Sequence, residues 1–140
     1  MHHKFNKDSY DKYDELARSL AKQLFKRYGV ELMDNSDKYG VDLLAYRNDV
    51  LVGYVEVEIK RTWQGLFKYT HLNVPVRKEK LLRMPLRTVL VAFSNDSKSC
   101  FICNDNIVLN SKIEEVKNKE VASGEMFYKV PVNLIKLVTL

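Results

Sequence analysis

Apolar positions recur at helical spacing over residues 8–28, where Tyr13, Leu16, Ala17, Leu20, Leu24 and Tyr28 fall on one stripe. Asp8 or Ser9 can cap the start of this helix, and acids crowd its first turns as the helix dipole prefers. Lys26, Arg27 and Gly29 mark its end. Beyond it the period changes from helical to two. A short strand is predicted over 30–33, a second over 41–47 and a third over 51–60, with Asn48-Asp49 as the tight turn between the last two. Gly53 interrupts the third strand near its start.

From Thr62 the alternation loosens into an aromatic connector, Trp63-Gln64-Gly65-Leu66-Phe67. Pro75 precedes a basic stretch over 76–84 that is read as helical. Residues 88–93, nearly all apolar, have the pattern of a buried strand, and 100–103 form another. Residues 107–119 are ambiguous, with helical composition in their second half. The final strand is expected over 127–131 at a sheet edge, because Pro131 has no N–H to give a central ladder. The pattern is that of a single α/β domain spanning 1–140.

Composition adds bounds rather than detail. A chain of 140 residues with 46% apolar and 29% charged residues has enough apolar surface for a core of its own. No stretch approaches the roughly 20 apolar residues of a membrane span. Residues 1–5 lack the apolar core of a signal peptide, so the expected location is cytoplasmic, with no membrane partner. His2, His3 and His71 make no spaced cluster. Cys100 and Cys103 form a CxxC, but no second pair completes a zinc site. Alternation along a strand would put residues three apart on opposite faces, so both are read as inert strand cysteines.

Charge changes the picture more. The chain carries +5 overall, yet residues 60–87 alone carry +7, from eight basic side chains against the single acid Glu79. Such segregation suits a polyanionic partner, since each neutralised phosphate releases condensed counterions. Arg61, Arg77, Lys78, Lys80 and Arg83 are the candidate phosphate contacts. Trp63, Phe67 and Tyr69 lie among them and offer either rings for stacking on bases or core packing.

The chemistry sits just before this segment. In Val55-Glu56-Val57-Glu58-Ile59-Lys60 the apolar side chains point one way, and Glu56, Glu58 and Lys60 the other. Pairing with the 41–47 strand would bring Asp42 in from a neighbour roughly 4.8 Å away. Carboxylates about 5 Å apart repel by roughly 3 kcal/mol at an effective dielectric of 20, which a cation or a raised pKa offsets. A hard divalent ion takes carboxylate oxygens, keeps waters and accepts phosphate oxygens. Lys60 could then hold a water or steady developing charge.

Gly40-Val41-Asp42 followed sixteen residues after Asp42 by Glu58-Ile59-Lys60 resembles the PD-(D/E)xK nuclease superfamily, which includes restriction endonucleases, junction resolvases and small phage-encoded nucleases. The resemblance takes in the preceding helix and covers about the first 60 residues. Val41 stands where the family has its proline. It implies a restriction-endonuclease-like αβββαβ core with a mixed central sheet, cleaving phosphodiester bonds, in DNA by preference, with Mg2+ or Mn2+. It maps the metal-binding carboxylates onto Asp42 and Glu58, a further ligand onto the carbonyl of Ile59, and the catalytic lysine onto Lys60. Glu56 is either a second metal ligand or a surface acid. A helix acid often completes such sites; Asp14 flanks the apolar stripe and Glu15 lies opposite it, and either could equally be a surface acid serving the helix dipole. The alternatives are a non-catalytic nucleic-acid-binding protein of the same fold and an RNA-directed nuclease. Cutting both strands of a duplex would call for two sites, which a homodimer supplies.

Overall fold

Helix α1, Lys7–Lys26, lies across a sheet that the next three strands begin. The computed structural model describes residues 7–37, 39–118 and 121–140. The terminal residues 1–5, the side chains of Asp8 and Ser9, and Lys119 fall outside the described parts. The face of α1 that meets the sheet is narrower than the apolar stripe: Ala17, Ala21 and Leu24 are buried, whereas Leu16 and Tyr28 are 39% and 45% exposed. Small alanines let the helix settle close to the strands, with Leu20 and Phe25 packing at its flanks.

Strands β1 (Glu31–Asp34), β2 (Leu43–Arg47) and β3 (Val50–Lys60) form an antiparallel meander. The β2–β3 turn is made by Asn48 and Asp49, both at positive φ (50° and 63°), the backbone of a type I′ hairpin without glycine. Gly53 marks a close approach: a Cβ there would lie 2.7 Å from the carbonyl oxygen of Arg87 on the strand alongside. That strand, β5 (Arg87–Ser94), runs parallel to β3 over its whole length from Gly53↔Arg87 to Lys60↔Ser94. A parallel neighbour requires a crossover. Here it comprises the aromatic connector, β4 (His71–Pro75), a 3-10 turn at Val76–Lys78 and a single helical turn, α2 (Glu79–Leu82). The helix expected over 76–84 is thus present only in part.

Strand β6 (Ser99–Asn104) returns antiparallel to β5, and β9 (Lys136–Thr139) closes the six-stranded mixed sheet in the order β1-β2-β3-β5-β6-β9. A second, three-stranded sheet has the order β4-β8-β7, with β7 Lys112–Asn118 and β8 Val121–Pro131. Two expectations are corrected here. The second half of 107–119 is strand rather than helix; the only helix nearby is α3, Asp105–Leu109. Residues 127–131 belong to the central strand of the second sheet, and Pro131 is tolerated because it is the strand's last residue, opposite His71. The true final strand, β9, alternates too weakly over four residues to be read from sequence.

Two cores fill the space on either side of the large sheet. Ala17, Ala21, Leu24, Val55, Val57, Val91 and Phe93 pack beneath α1. Trp63, Leu72, Val74, Leu90, Ala92, Phe101, Val108, Tyr128 and Val130 pack between the two sheets. Successive residues of β5 alternate between these cores, as strand geometry requires. Cys100 joins the first core and Cys103 the second, which places the two thiols on opposite faces as expected. Burial raises the thiol pKa of Cys100 to about 11 and of Cys103 to about 12, and both remain free and unreactive in character.

Candidate active site

Strand β3 outruns β2. Leu43 pairs with Val55, so residues 56–60 keep β5 on one side and have no β2 residue on the other. Asp42 sits where the ladder stops. Its Oδ2 accepts the N–H of Val57 at 2.9 Å, and its own N–H donates to Glu56 Oε1 at 3.0 Å. The carboxylate therefore does what a backbone carbonyl would do if β2 continued. Peptide groups two apart on a strand face the same side, so those of Ile59 share the orientation of Val57, toward the open edge.

The alternation read from sequence holds. Val55 and Val57 face α1 with Ile59 packed behind them, while Glu56, Glu58 and Lys60 face the second sheet. Their environments differ sharply. Glu56 is 5% exposed and is not a surface acid; burial first and the charge of Asp42 second push its carboxyl pKa up to about 7, against the pull of Lys78. Lys78 Nζ stands 3.5 Å from Glu56 Oε2. Glu58 is more open and pairs with Lys60, Oε1 to Nζ at 3.1 Å. Lys60 Nζ also reaches the Asn73 carbonyl at 3.4 Å.

Arg18, on α1, was not singled out by sequence. Its Nη1 donates to the Asp42 carbonyl at 2.8 Å, its Nη2 stands 3.4 Å from Asp42 Oδ1, and its Nε donates to Asp14 at 2.9 Å. It also reaches Asp34 at 3.4 Å. The i,i+4 spacing from Asp14 reads in sequence as an ordinary surface pair. Nothing in the chain order announces that the same guanidinium spans to a residue twenty-four positions on.

A cleft of about 620 Å³ opens at this edge, and Asp42, Glu56, Glu58 and Ile59 line it together with Asp14. Arg61, Arg77, Lys78 and Lys80 line its basic side. Arg61 lies 4.5 Å from the centre of the Tyr13 ring, and Arg77 is exposed beside Glu125. Four expected residues stand elsewhere. Glu15 lies on a separate surface with Lys22 and Asp34, so of the two helix acids Asp14 alone reaches the cleft. Arg83 is off the cleft, held by Glu79 at 2.8 Å. Trp63 is 3% exposed, stacked on Phe101 at 4.9 Å with its indole N–H on the Gly65 carbonyl, so a core role displaces the base-stacking one. Lys60 stands at the wall between this cleft and a neighbouring cavity rather than inside it.

No family model, curated protein or solved structure matches this chain.

Among the described residues, no three of His, Cys, Asp and Glu come together as a metal-holding group. Four carboxylates line the cleft, Asp14, Asp42, Glu56 and Glu58, and the donors that the sequence pointed to are Asp42, Glu58 and the carbonyl of Ile59. Mg2+ keeps several of its waters and binds through one or two carboxylates, so this donor set fits it without a third acid. The ion pair of Asp42 Oδ1 with Arg18 is long, 3.4 Å, and that of Glu56 Oε2 with Lys78 is 3.5 Å. No helix among the described residues is long and apolar enough to cross a membrane.

Proposed function

We propose that this chain is a metal-dependent nuclease that hydrolyses phosphodiester bonds, in DNA by preference, on a restriction-endonuclease-like αβββαβ core. The observation that carries the reading is that Asp42 and Glu58 line one cleft at an open strand edge, beside a rim of four basic side chains. A helix, a three-strand meander and a parallel fourth strand reached by a crossover agree with the proposed core. The crossover helix is only one turn long, which is short for that plan.

In this reading Asp42, Glu58 and the Ile59 carbonyl hold Mg2+ or Mn2+. Such an ion supplies Lewis acidity and a bound water of lowered pKa. Asp42 is set in place by the Val57 N–H and by Arg18, which fix its orientation before any ligand arrives. Lys60, 3.1 Å from Glu58, steadies the charge that develops on the phosphate oxygens. Arg61, Arg77 and Lys80 hold flanking phosphates, contacts that position the strand without reading its sequence. Lys78 compensates the buried Glu56 instead.

One observation favours a second reading, a nucleic-acid-binding protein without catalysis: Asp42 already has a backbone N–H and a guanidinium as partners. A cleavage assay separates the two. Purified protein with supercoiled, duplex and single-stranded DNA should cut in Mg2+ or Mn2+, stop in excess EDTA and resume on readdition. Asp42→Ala and Glu58→Ala should each lose at least about a hundredfold in rate. Near-normal cutting by either variant, or undiminished cutting in chelator, sinks the proposal; DNA binding without any cutting supports the second reading.

A further inference from the structure

Glu58 and Lys60 form a wall with a cavity on each side. Beyond it, across Lys60, lies a second cavity of about 430 Å³ that the cleft chemistry leaves unused. Its size is within the roughly 300–1,000 Å³ of small-ligand sites, at the lower end. Three groups that can carry positive charge line it: Lys60, Lys129 and His71. Its aromatic lining includes Tyr69, whose side chain is 64% exposed, braced edge-on by Phe67 at 5.6 Å. No carboxylate lines it among the described residues. Asn73, also in the lining, carries a buried side-chain oxygen with no hydrogen-bond partner.

Cations, an accessible ring and no acid together describe a receptor for something both anionic and aromatic. Phe67, which meets the Tyr69 ring edge-on, itself packs on Trp63 and Phe101, both of which are buried. An accessible aromatic ring beside cations stacks on a base, and every base has a π-face. In a duplex that face is already covered by neighbouring pairs, so the occupant must be unpaired.

We propose that this cavity seats one unpaired nucleotide, its base on Tyr69 and its phosphate near Lys60 and Lys129, and thereby gives the protein a preference for single-stranded nucleic acid. The inference deepens the nuclease reading and rests on it for the placement of the strand, since Lys60 is shared by cleft and cavity.

Trp63 is the only tryptophan of the chain and lines this cavity, so its fluorescence reports occupancy directly. Titration with dAMP should quench it saturably, whereas inorganic phosphate should not. Tyr69→Ala, at an exposed position, should weaken the dAMP titration and the affinity for a mixed-sequence single-stranded oligonucleotide by about tenfold. Affinity for a blunt duplex of the same sequence should stay within about twofold, as no unpaired base is offered. Lys129→Ala should weaken dAMP binding likewise. Absence of saturable quenching, quenching indifferent to Tyr69→Ala, or equal losses on both substrates overturns the inference. Its failure is separable from that of the nuclease reading. If metal-dependent cleavage occurs but Tyr69→Ala binds single strands as the wild type does, the cavity proposal falls and the cleft stands. If the quench and the Tyr69 effect hold while no substrate is cut, the nucleotide site stands and the catalytic reading falls.

Discussion

Asp42 and Val57 are joined by a hydrogen bond of 2.9 Å from the Val57 N–H to Asp42 Oδ2, at the point where β2 ends and β3 continues. Glu56 answers it by accepting the Asp42 N–H at 3.0 Å. The two bonds tie the Asp42 carboxylate to the backbone of Val57 and the Asp42 backbone to the carboxyl of Glu56, so the position of Asp42 is set by the sheet and not by a freely rotating side chain. Charge-assisted bonds of this kind are roughly twice as strong as neutral ones.

Arg18 is the third fixed point. Arg18→Ala removes the donor on the Asp42 carbonyl and leaves Asp14 and Asp42 without their shared cation. We expect a loss of about 2 kcal/mol in stability, read by denaturant unfolding, and a larger loss in cleavage. Arg18→Lys keeps the charge without the fork and should recover less than half of either. A variant within about 0.5 kcal/mol of wild type would mean that the guanidinium contributes nothing beyond a surface pair.

Lys60→Ala separates turnover from affinity. If the lysine acts on developing charge, single-turnover cleavage should fall by about a hundredfold or more while DNA affinity changes little. Unchanged cleavage at saturation together with a marked loss of binding would assign Lys60 to phosphate holding alone.

Glu56 predicts a pH dependence in excess EDTA. Its carboxyl ionises near 4.5 ordinarily and is pushed up to about 7 here by burial first and by Asp42 second. Between those values the unfolded chain has released the proton and the native chain retains it, so raising the pH favours unfolding. Stability should decline from about pH 4.5 to about 7, by an amount on the order of 3 kcal/mol, and Glu56→Gln should lack that decline. Stability that rises across the same window in wild type, or an identical decline in both proteins, refutes the assignment.

The basic rim is tested at its exposed members. Lys78 compensates Glu56, so reversing it would unbalance a buried acid; Arg77→Glu and Lys80→Glu avoid this. Each should weaken binding to unrelated DNA sequences alike and lower the salt slope by about one. Equal affinity and slope for both variants would make the rim a solvated surface without a partner.

The parts legible in sequence were those with a strong period. Alternation over 55–60 placed Glu56, Glu58 and Lys60 on one face, and the Asn48-Asp49 turn fixed which strands are neighbours. Both follow from local geometry. What escaped depends on distance along the chain: Arg18 reaching Asp42, Lys78 reaching buried Glu56, and Trp63 turning inward onto Phe101. No periodicity encodes such meetings. The second sheet escaped for a related reason. β4 follows an irregular connector, and β7 is rich in charged residues that are equally common in helices.

The two cysteines of β6 end up three residues apart on one strand and in different cores. That arrangement makes β6 a two-sided gauge. A thiol reagent reaches Cys100 only when the layer under α1 lifts, and Cys103 only when the two sheets part. Labelling kinetics at the two positions therefore time the two openings independently, from one strand and without any added probe. Equal rates describe a molecule that opens as one unit, and unequal rates one whose halves breathe separately.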